Sequence, residues 1–404
     1  MTSSSWRTPA VVLACGCFIL IISMGVRSTS GIFLQPMTLT RGWSRETFSL
    51  AIALQNLIWG LGGSFFGAIA DKYGAGRTLV ICAILYALGL AWTAHASSAV
   101  DLSLSAGVIT GLGISGTTFG VVLAVMARAV KPEQRSFALG LGSAAGSVGQ
   151  FLMLPIAQGL IDGVGWQMAL VVHAIFAAWI VPLASGLAGK NPSTSGAQSI
   201  GDALVEAGRD RSFHLLFWGY FVCGFQVVFI ALHLPPYLVD KGLPASTGVA
   251  ALALVGLFNV IGSFASGWLG GRYMKKYLLS WIYLLRSIVI ALFLAAPLRP
   301  WSVYIFSAAM GLLWLSTVPL TNGLVGFRYG VRYLAMLGGI VFLGHQLGSF
   351  LGAWLGGKIF DMTGSYDIAW GLMIAAGVYA AIVHLPIREA PIRDAMDKHA
   401  RAAA

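Results

Sequence analysis

GAIADKYGAGR, Gly67 to Arg77, is a charged, glycine-punctuated stretch between two long apolar runs, and GWLGGRYMKK, Gly267 to Lys276, repeats its plan 200 residues later. Apolar runs of about 20 or more residues flank both copies and recur along the whole chain, each able to cross a hydrocarbon core of about 30 Å at about 1.5 Å per residue. The composition agrees. Of 404 residues 57% are hydrophobic and 10% charged, with mean hydropathy +0.82, which is more apolar than an aqueous surface tolerates. The runs place spans at 10–37, 46–70, 77–96, 102–127, 136–161, 167–188, 213–239, 246–270, 277–296, 301–326, 333–357 and 368–387. The fold class expected is therefore an all-α membrane protein of twelve transmembrane helices. The first run is too long for a signal-peptide core and lacks a small-residue cleavage site, so it is read as a retained span.

Sliding the second half over the first by about 200 residues superposes more than the two loops. GIFLQPM at 31 meets IALHLPPY at 230, RGW at 41 meets KGL at 241, LQN at 54 meets LFN at 257, and RSFALGLG at 135 meets RYLAMLGG at 332. The expectation is two pseudo-symmetric six-helix bundles, 1–188 and 213–404, the second ending in a short tail. The polar segment 189–212, rich in Ser, Gly and charge, is expected as a cytoplasmic linker that carries a short amphipathic helix.

Lys and Arg are retained on the cytoplasmic side during insertion. With both termini inside, 18 of the 25 basic residues are cytoplasmic and five are external (Arg41, Arg45, Lys241, Arg299, Lys358). Two, Arg27 and Arg286, lie within spans. The formal charge of +11 is thus a topogenic bias beside anionic headgroups, and nucleic-acid binding is not implied. The setting expected is the inner (plasma) membrane. Cys15, Cys17, Cys82 and Cys223 all fall within spans, with no external pair for a disulfide and no CxxC for zinc.

The pattern Gly-x-x-x-Asp-Lys-x-Gly followed by Arg, in the loop between the second and third spans, resembles the loop signature of the major facilitator superfamily. The resemblance covers essentially the whole chain, and it implies that fold and secondary transport. Gly67, Asp71, Lys72, Gly74 and Arg77 then form an expected conformational latch, in which the Asp71 carboxylate meets the positive end of a helix or a nearby Arg. The alternative is a solvated charged turn. In the second copy Gly271 replaces the acid, so a full latch is expected only in the first half.

Gly344, Gly348, Gly352 and Gly356 recur every four residues, as do Gly142 and Gly146 in the matching helix, and such stripes let helices approach closely in lipid. Buried ionisable groups are costly in a membrane and usually face a bundle interior or a water-filled path. Three lie well inside, Arg27, Arg286 and His345, and no carboxylate lies at midplane. That favours an anionic substrate over a proton carrier built on Asp or Glu. The expected substrate site gathers Arg27, its repeat-mate Gln226, the pair Asn56 and Asn259, Gln150, Asn322, and His345 with Ser349 one turn on. Each is open to a structural alternative, an interhelical hydrogen bond; for Arg286, snorkelling or structural pairing is expected.

Within the superfamily GLFNVIGSFASG (256–267) and GGIVFLGHQLGSFLG (338–352) resemble the bacterial monocarboxylate and oxalate:formate transporters. The resemblance implies an arginine in helix 8 and a lysine in helix 11 on substrate carboxylates; this chain has Ser263 and His345 there. The function expected is secondary-active transport of a small carboxylate-type organic anion by alternating access, with proton linkage through His345 as an option. The expected partners are that anion, protons and membrane lipids, and no cofactor is implied. The alternatives are an efflux pump for hydrophobic compounds and a non-transporting membrane sensor. An enzyme is not expected, because neither HExxH nor GxSxG occurs, and there is no P-loop for ATP-driven transport.

Overall fold

The computed structural model describes residues 6–131, 135–188, 200–329 and 334–391. Every regular element in it is helical. The first crossing is α1 (Pro9–Ser28) with α2 (Ser30–Arg41), followed by α3 (Arg45–Tyr73) and α4 (Ala75–His95). The fourth is a composite of α5 (Ala99–Leu102), a π-helical stretch Ser103–Ile109, α6 (Thr110–Thr117) and α7 (Phe119–Arg128). Next comes α8 (Arg135–Ala178), at 44 residues far longer than one crossing needs. It turns at Gly165, where φ is +82°, so it supplies the fifth crossing and, with α9 (Ile180–Ala184), the sixth. The short amphipathic helix expected in the linker is α10 (Ile200–Arg209), which buries Ala203 and Ala207. The second half runs α11 (Arg211–Asp240), α12 (Ala245–Gly270), α13 (Lys275–Ala295), α14 (Pro300–Leu313) with α15 (Thr317–Tyr329), α16 (Leu334–Thr363) and α17 (Asp367–His384). Twelve crossings result, so the chain begins and ends at one face, called here the terminal face.

The internal repeat is visible in the backbone. Among the described residues five glycines have positive φ, and four of them form two repeat pairs, Gly42 with Gly242 and Gly165 with Gly364. Gly42 and Gly242 end the first crossing of each half with the same closing bond, Trp43 N–H to the Thr38 carbonyl (3.1 Å) and Leu243 N–H to the Leu238 carbonyl (2.9 Å). A side chain at either glycine would strain the left-handed turn.

Close packing follows the glycine stripes. Along α16, Gly344, Gly348 and Gly352 rest on the backbone carbonyls of Phe217, Phe221 and Phe225 of α11. Both helices step by four residues, so each contact is a full turn from the next. In lipid the apolar surroundings give helices no reason to associate, and backbone-to-backbone approach supplies dispersion instead. Gly142 and Gly146 instead make room for the side chains of Leu123 and Phe119 of α7.

Charge is arranged at the terminal face. Asp210, which caps α11, accepts from Arg328 at Nη2 (2.9 Å) and Nε and from the Tyr329 hydroxyl, while Arg328 also donates to the carbonyls of Arg388 and Ala390 at 2.9 Å each. Burial raises the Asp210 carboxyl, and the bonds from Arg328, Tyr329 and the Ser212 amide more than offset it, leaving it below its ordinary value. A carboxylate of lowered pKa contributes stability that is present above the unfolded value, about 3.9, and is lost as pH falls through the folded one. Asp210→Asn should therefore cost roughly 2 kcal/mol near neutral pH, less than a fully buried pair would because the cluster adjoins water. Thermal unfolding in detergent should show that difference from the parent chain holding constant between about pH 7 and about pH 5 and shrinking below about pH 4.

Candidate substrate site and outer clamp

Among the described residues the first, fourth and tenth crossings are interrupted within the span, where freed backbone groups have no water to turn to. In the fourth, the break at Thr118 is held by Trp59 Nε1, which donates to Thr118 Oγ1 at 3.0 Å; nearby, Thr117 Oγ1 pairs with Ser23 Oγ at 3.0 Å. In the tenth, between α14 and α15, Arg286 donates to the carbonyls of Leu313 (2.6 Å) and Trp314, and Asn259 Oδ1 accepts from the Leu315 amide at 3.0 Å. The first crossing breaks at Thr29, two residues beyond Arg27.

Arg27 and His345, on opposite halves of the chain, are joined by one chain of hydrogen bonds. Arg27 Nη2 donates to Asn56 Oδ1 (2.7 Å), and the Asn56 carbonyl accepts from Gln346 Nε2 (2.9 Å). Gln346 Oε1 lies 3.0 Å from His345 Nδ1. A carbonyl only accepts, so Gln346 must donate at its nitrogen and accept at its oxygen, which places the imidazole proton on Nδ1. A further proton then falls on His345 Nε2. Rings close the site: the Arg27 guanidinium lies 4.5 Å from the Trp59 ring centre, and Phe342 and Tyr220 flank His345 at 5.4 and 5.0 Å. Gln346 is fully buried and packs on Gly60 of α3, as Gln150 of α8 packs on Gly256 of α12. Each half thus contributes the same glycine-on-glutamine contact, the two 196 residues apart.

The two arginines differ in how they are satisfied. Arg286, 0% exposed, donates to two carbonyls and lies near Gln226 Oε1 (3.4 Å) and Cys223 Sγ (3.5 Å). Arg27 has one neutral amide acceptor, and its Nε is buried without a partner. Among the described residues no carboxylate pairs with Arg27.

At the face opposite the termini the halves are clamped together. Arg45, at the start of α3, makes two bonds of 2.6 and 2.7 Å to Asp240 at the end of α11 and one of 3.0 Å to the Tyr366 hydroxyl. Asp361 of α16 accepts from the Arg45 and Glu46 amides at 3.2 and 2.6 Å, a carboxylate on the positive end of α3. Trp354 Nε1 donates to Glu46 at 2.9 Å. Toward the terminal face Gly63, Gly67 and Gly140 have no neighbour within 4 Å of where a side chain would begin. The described contacts between the halves at the clamped face are thus ionic as well as packed.

The model of the Major Facilitator Superfamily matches residues 16–353. This chain belongs to that superfamily. An uncharacterized MFS-type transporter, YcxA, of Bacillus subtilis is 26% identical over 383 residues, covering 91% of this chain and 92% of its own. Monocarboxylate transporter 13 of Bos taurus is 25% identical, covering 86% and 82%, and monocarboxylate transporter 4 of Mus musculus 24%, covering 92% and 81%. Among solved structures, a bacterial homolog of the human lysosomal transporter Spinster, inward-facing and unoccupied, superposes with a TM-score of 0.69 at 17% identity over 94% of both chains. The protein is a multi-pass membrane transporter of the major facilitator fold, and not an enzyme.

Against that fold the expected site residues separate. Arg27, Asn56 and His345 come together through Gln346, a residue absent from the expected site. Its signal was available: a second uncharged polar side chain at midplane. Asn322 is exposed, and among the described residues it bonds only to its own helix, at Val318 (3.2 Å). Gln226 turns into the second bundle, donating to the Met373 carbonyl at 3.0 Å, and Ser349 donates to the His345 carbonyl at 2.9 Å beneath Gly224. Asn259 does not match Asn56 in role, since it supports the tenth crossing and reaches Ser147 of α8 at 3.3 Å. Of the latch, Gly74 is required by its φ of +98° and Arg77 is exposed, while the side chains of Asp71 and Lys72 lie outside the described residues. Asn259→Ala, which orphans the Leu315 amide, should lower stability by about 1–3 kcal/mol, whereas Asn322→Ala should stay within about 0.5 kcal/mol; thermal unfolding of the two variants side by side checks this.

Proposed function

We propose that this superfamily member transports a small carboxylate-type organic anion by alternating access, with the anion held at Arg27 and, across the interface, at His345. The observation that carries the reading is the guanidinium of Arg27, a cation at bilayer depth with no carboxylate partner among the described residues. A charge so placed is expensive unless a counter-ion is its function. The relatives named monocarboxylate transporters support the same substrate class. His345 suits a proton-linked site: neutral, it holds the bridge through Nδ1, and a proton on Nε2 adds a donor and a charge for the anion. Trp59 faces the Arg27 guanidinium, and Phe342 and Tyr220 flank the His345 ring, so these aromatics are already engaged, which favours an anion over hydrophobic cargo.

The bundles are taken as 1–188 and 213–404 around the linker 189–212, with both termini cytoplasmic in the plasma membrane, following the distribution of Lys and Arg. The clamp then seals the outer face, and the loop from Gly67 through Asp71, Lys72 and Gly74 to Arg77 acts as the latch of the inner face in the opposite state. Counterflow in proteoliposomes with mono-, di- and aromatic carboxylates, with and without a pH gradient, should reveal saturable exchange of at least one. Arg27→Gln should reduce it about 10- to 100-fold, the loss of a charge-assisted bond, and His345→Ala should remove its pH dependence. Exchange undiminished in both variants would overturn the site.

A further inference from the structure

Beneath the clamp lies a second histidine. His233 of α11 is fully buried, with Nε2 2.8 Å from the Ala353 carbonyl of α16 and Nδ1 3.2 Å from the Tyr366 hydroxyl. Tyr366 oxygen in turn accepts from Arg45 Nη1 at 3.0 Å. Both ends of this chain have fixed polarity, because a guanidinium only donates and a carbonyl only accepts. The order is therefore Arg45 N–H to Tyr366 oxygen, Tyr366 O–H to His233 Nδ1, and His233 Nε2–H to the Ala353 carbonyl. Every link is satisfied only when the imidazole is neutral.

We propose that His233 is a proton-binding site of the outer gate, filled only when the clamp is open. A proton on Nδ1 in the closed state would set donor against donor at Tyr366 and add a cation beside Arg45. The groups facing His233 do not relieve this. Arg45 arrives from α3, Tyr366 from the turn before α17, Gly356 and Ala353 from α16, and Phe229 lies on its own helix. Asp240 is committed to Arg45, and Asp361 to the α3 amides. Arg45 belongs to the first half of the chain; His233, Tyr366 and Ala353 belong to the second. When the halves part, Arg45 leaves and the other three stay together. The Tyr366 oxygen, released from the guanidinium, can then accept from a protonated Nδ1. Proton binding and clamp closure thus exclude one another, and linkage makes outside acid favour the open gate.

The inference rests on the alternating-access reading, but its test needs no substrate, so failure of anion exchange and failure of the gate site are separately visible. Spin labels at Leu39 and Met362, exposed positions on α2 and α16 near the clamp, in a chain with its four native cysteines replaced, report the gap in lipid nanodiscs. Measured at about pH 8 and about pH 5.5, either side of an ordinary imidazole, the parent chain should gain a longer-distance population in acid. His233→Gln, whose amide donates and accepts as the neutral ring does, should show the closed distance at both pH values; His233→Asn serves if that variant fails to fold. Tyr366→Phe, which removes the hydroxyl that a second imidazole proton would oppose but leaves the Arg45–Asp240 bonds in place, should keep the closed distance at about pH 8 and show a much reduced acid shift. An acid shift that survives in the His233 variant, that is absent from the parent chain, or that is unchanged in Tyr366→Phe overturns the proposal.

Discussion

A backbone broken inside a membrane must be repaired by protein, and much of this structure follows from that constraint. Where the tenth crossing opens, its freed backbone groups are met by Arg286 and Asn259 at residues 313–315, and where the fourth opens, Trp59 holds the Thr118 hydroxyl. These repairs use up polar groups that would otherwise be candidates for substrate contact. They also leave the interruptions available as bending points, because a side chain can follow a moving carbonyl where a helical hydrogen bond cannot. The helices that carry the repairs, α3, α12 and α13, are long and unbroken.

Against this background the two buried arginines have different meanings, although they are chemically identical and both sit at depth. Arg286 has backbone carbonyls on which to disperse its charge, and its position in the second bundle is structural. Arg27 has one amide and an aromatic face. The hydrogen-bond chain through Asn56 and Gln346 crosses between the halves, so whatever engages Arg27 is mechanically connected to His345. Moving the bundles apart would cut that chain at the contact between the Asn56 carbonyl and Gln346, the one link made across the interface.

The fold was legible because its signals are periodic and repeated: twenty-residue apolar runs, glycines every four residues, and turn glycines at matching places in both halves. The site was less so. Sequence identifies a polar residue at depth but not its rotation about the helix or its partners, and Gln226, Ser349 and Asn259 proved to serve neighbouring backbone or packing. Matching LQN with LFN carried Asn56 onto Asn259, although the glycine-on-glutamine contacts set those helices in a different register. A carboxylate on a helix N-terminus was expected in the loop between the second and third crossings. The side chain of Asp71 lies outside the described residues; within them the same chemistry occurs at Asp361 on α3 and Glu389 on α13, hundreds of residues and over one hundred residues away respectively. Pairings of that separation leave no local pattern to read.

Glu389 has one further consequence. Its two oxygens accept from the Lys275 and Lys276 amides at 3.0 and 3.1 Å, and the carbonyls of Arg388 and Ala390 hold Arg328. The stretch just after the last crossing is therefore woven into the bundle, and it sets a boundary for engineering. A fluorescent protein or affinity handle joined after Pro391 preserves these contacts. One joined at His384, where the membrane helix itself stops, would discard them along with the tie between the ninth, tenth and twelfth crossings.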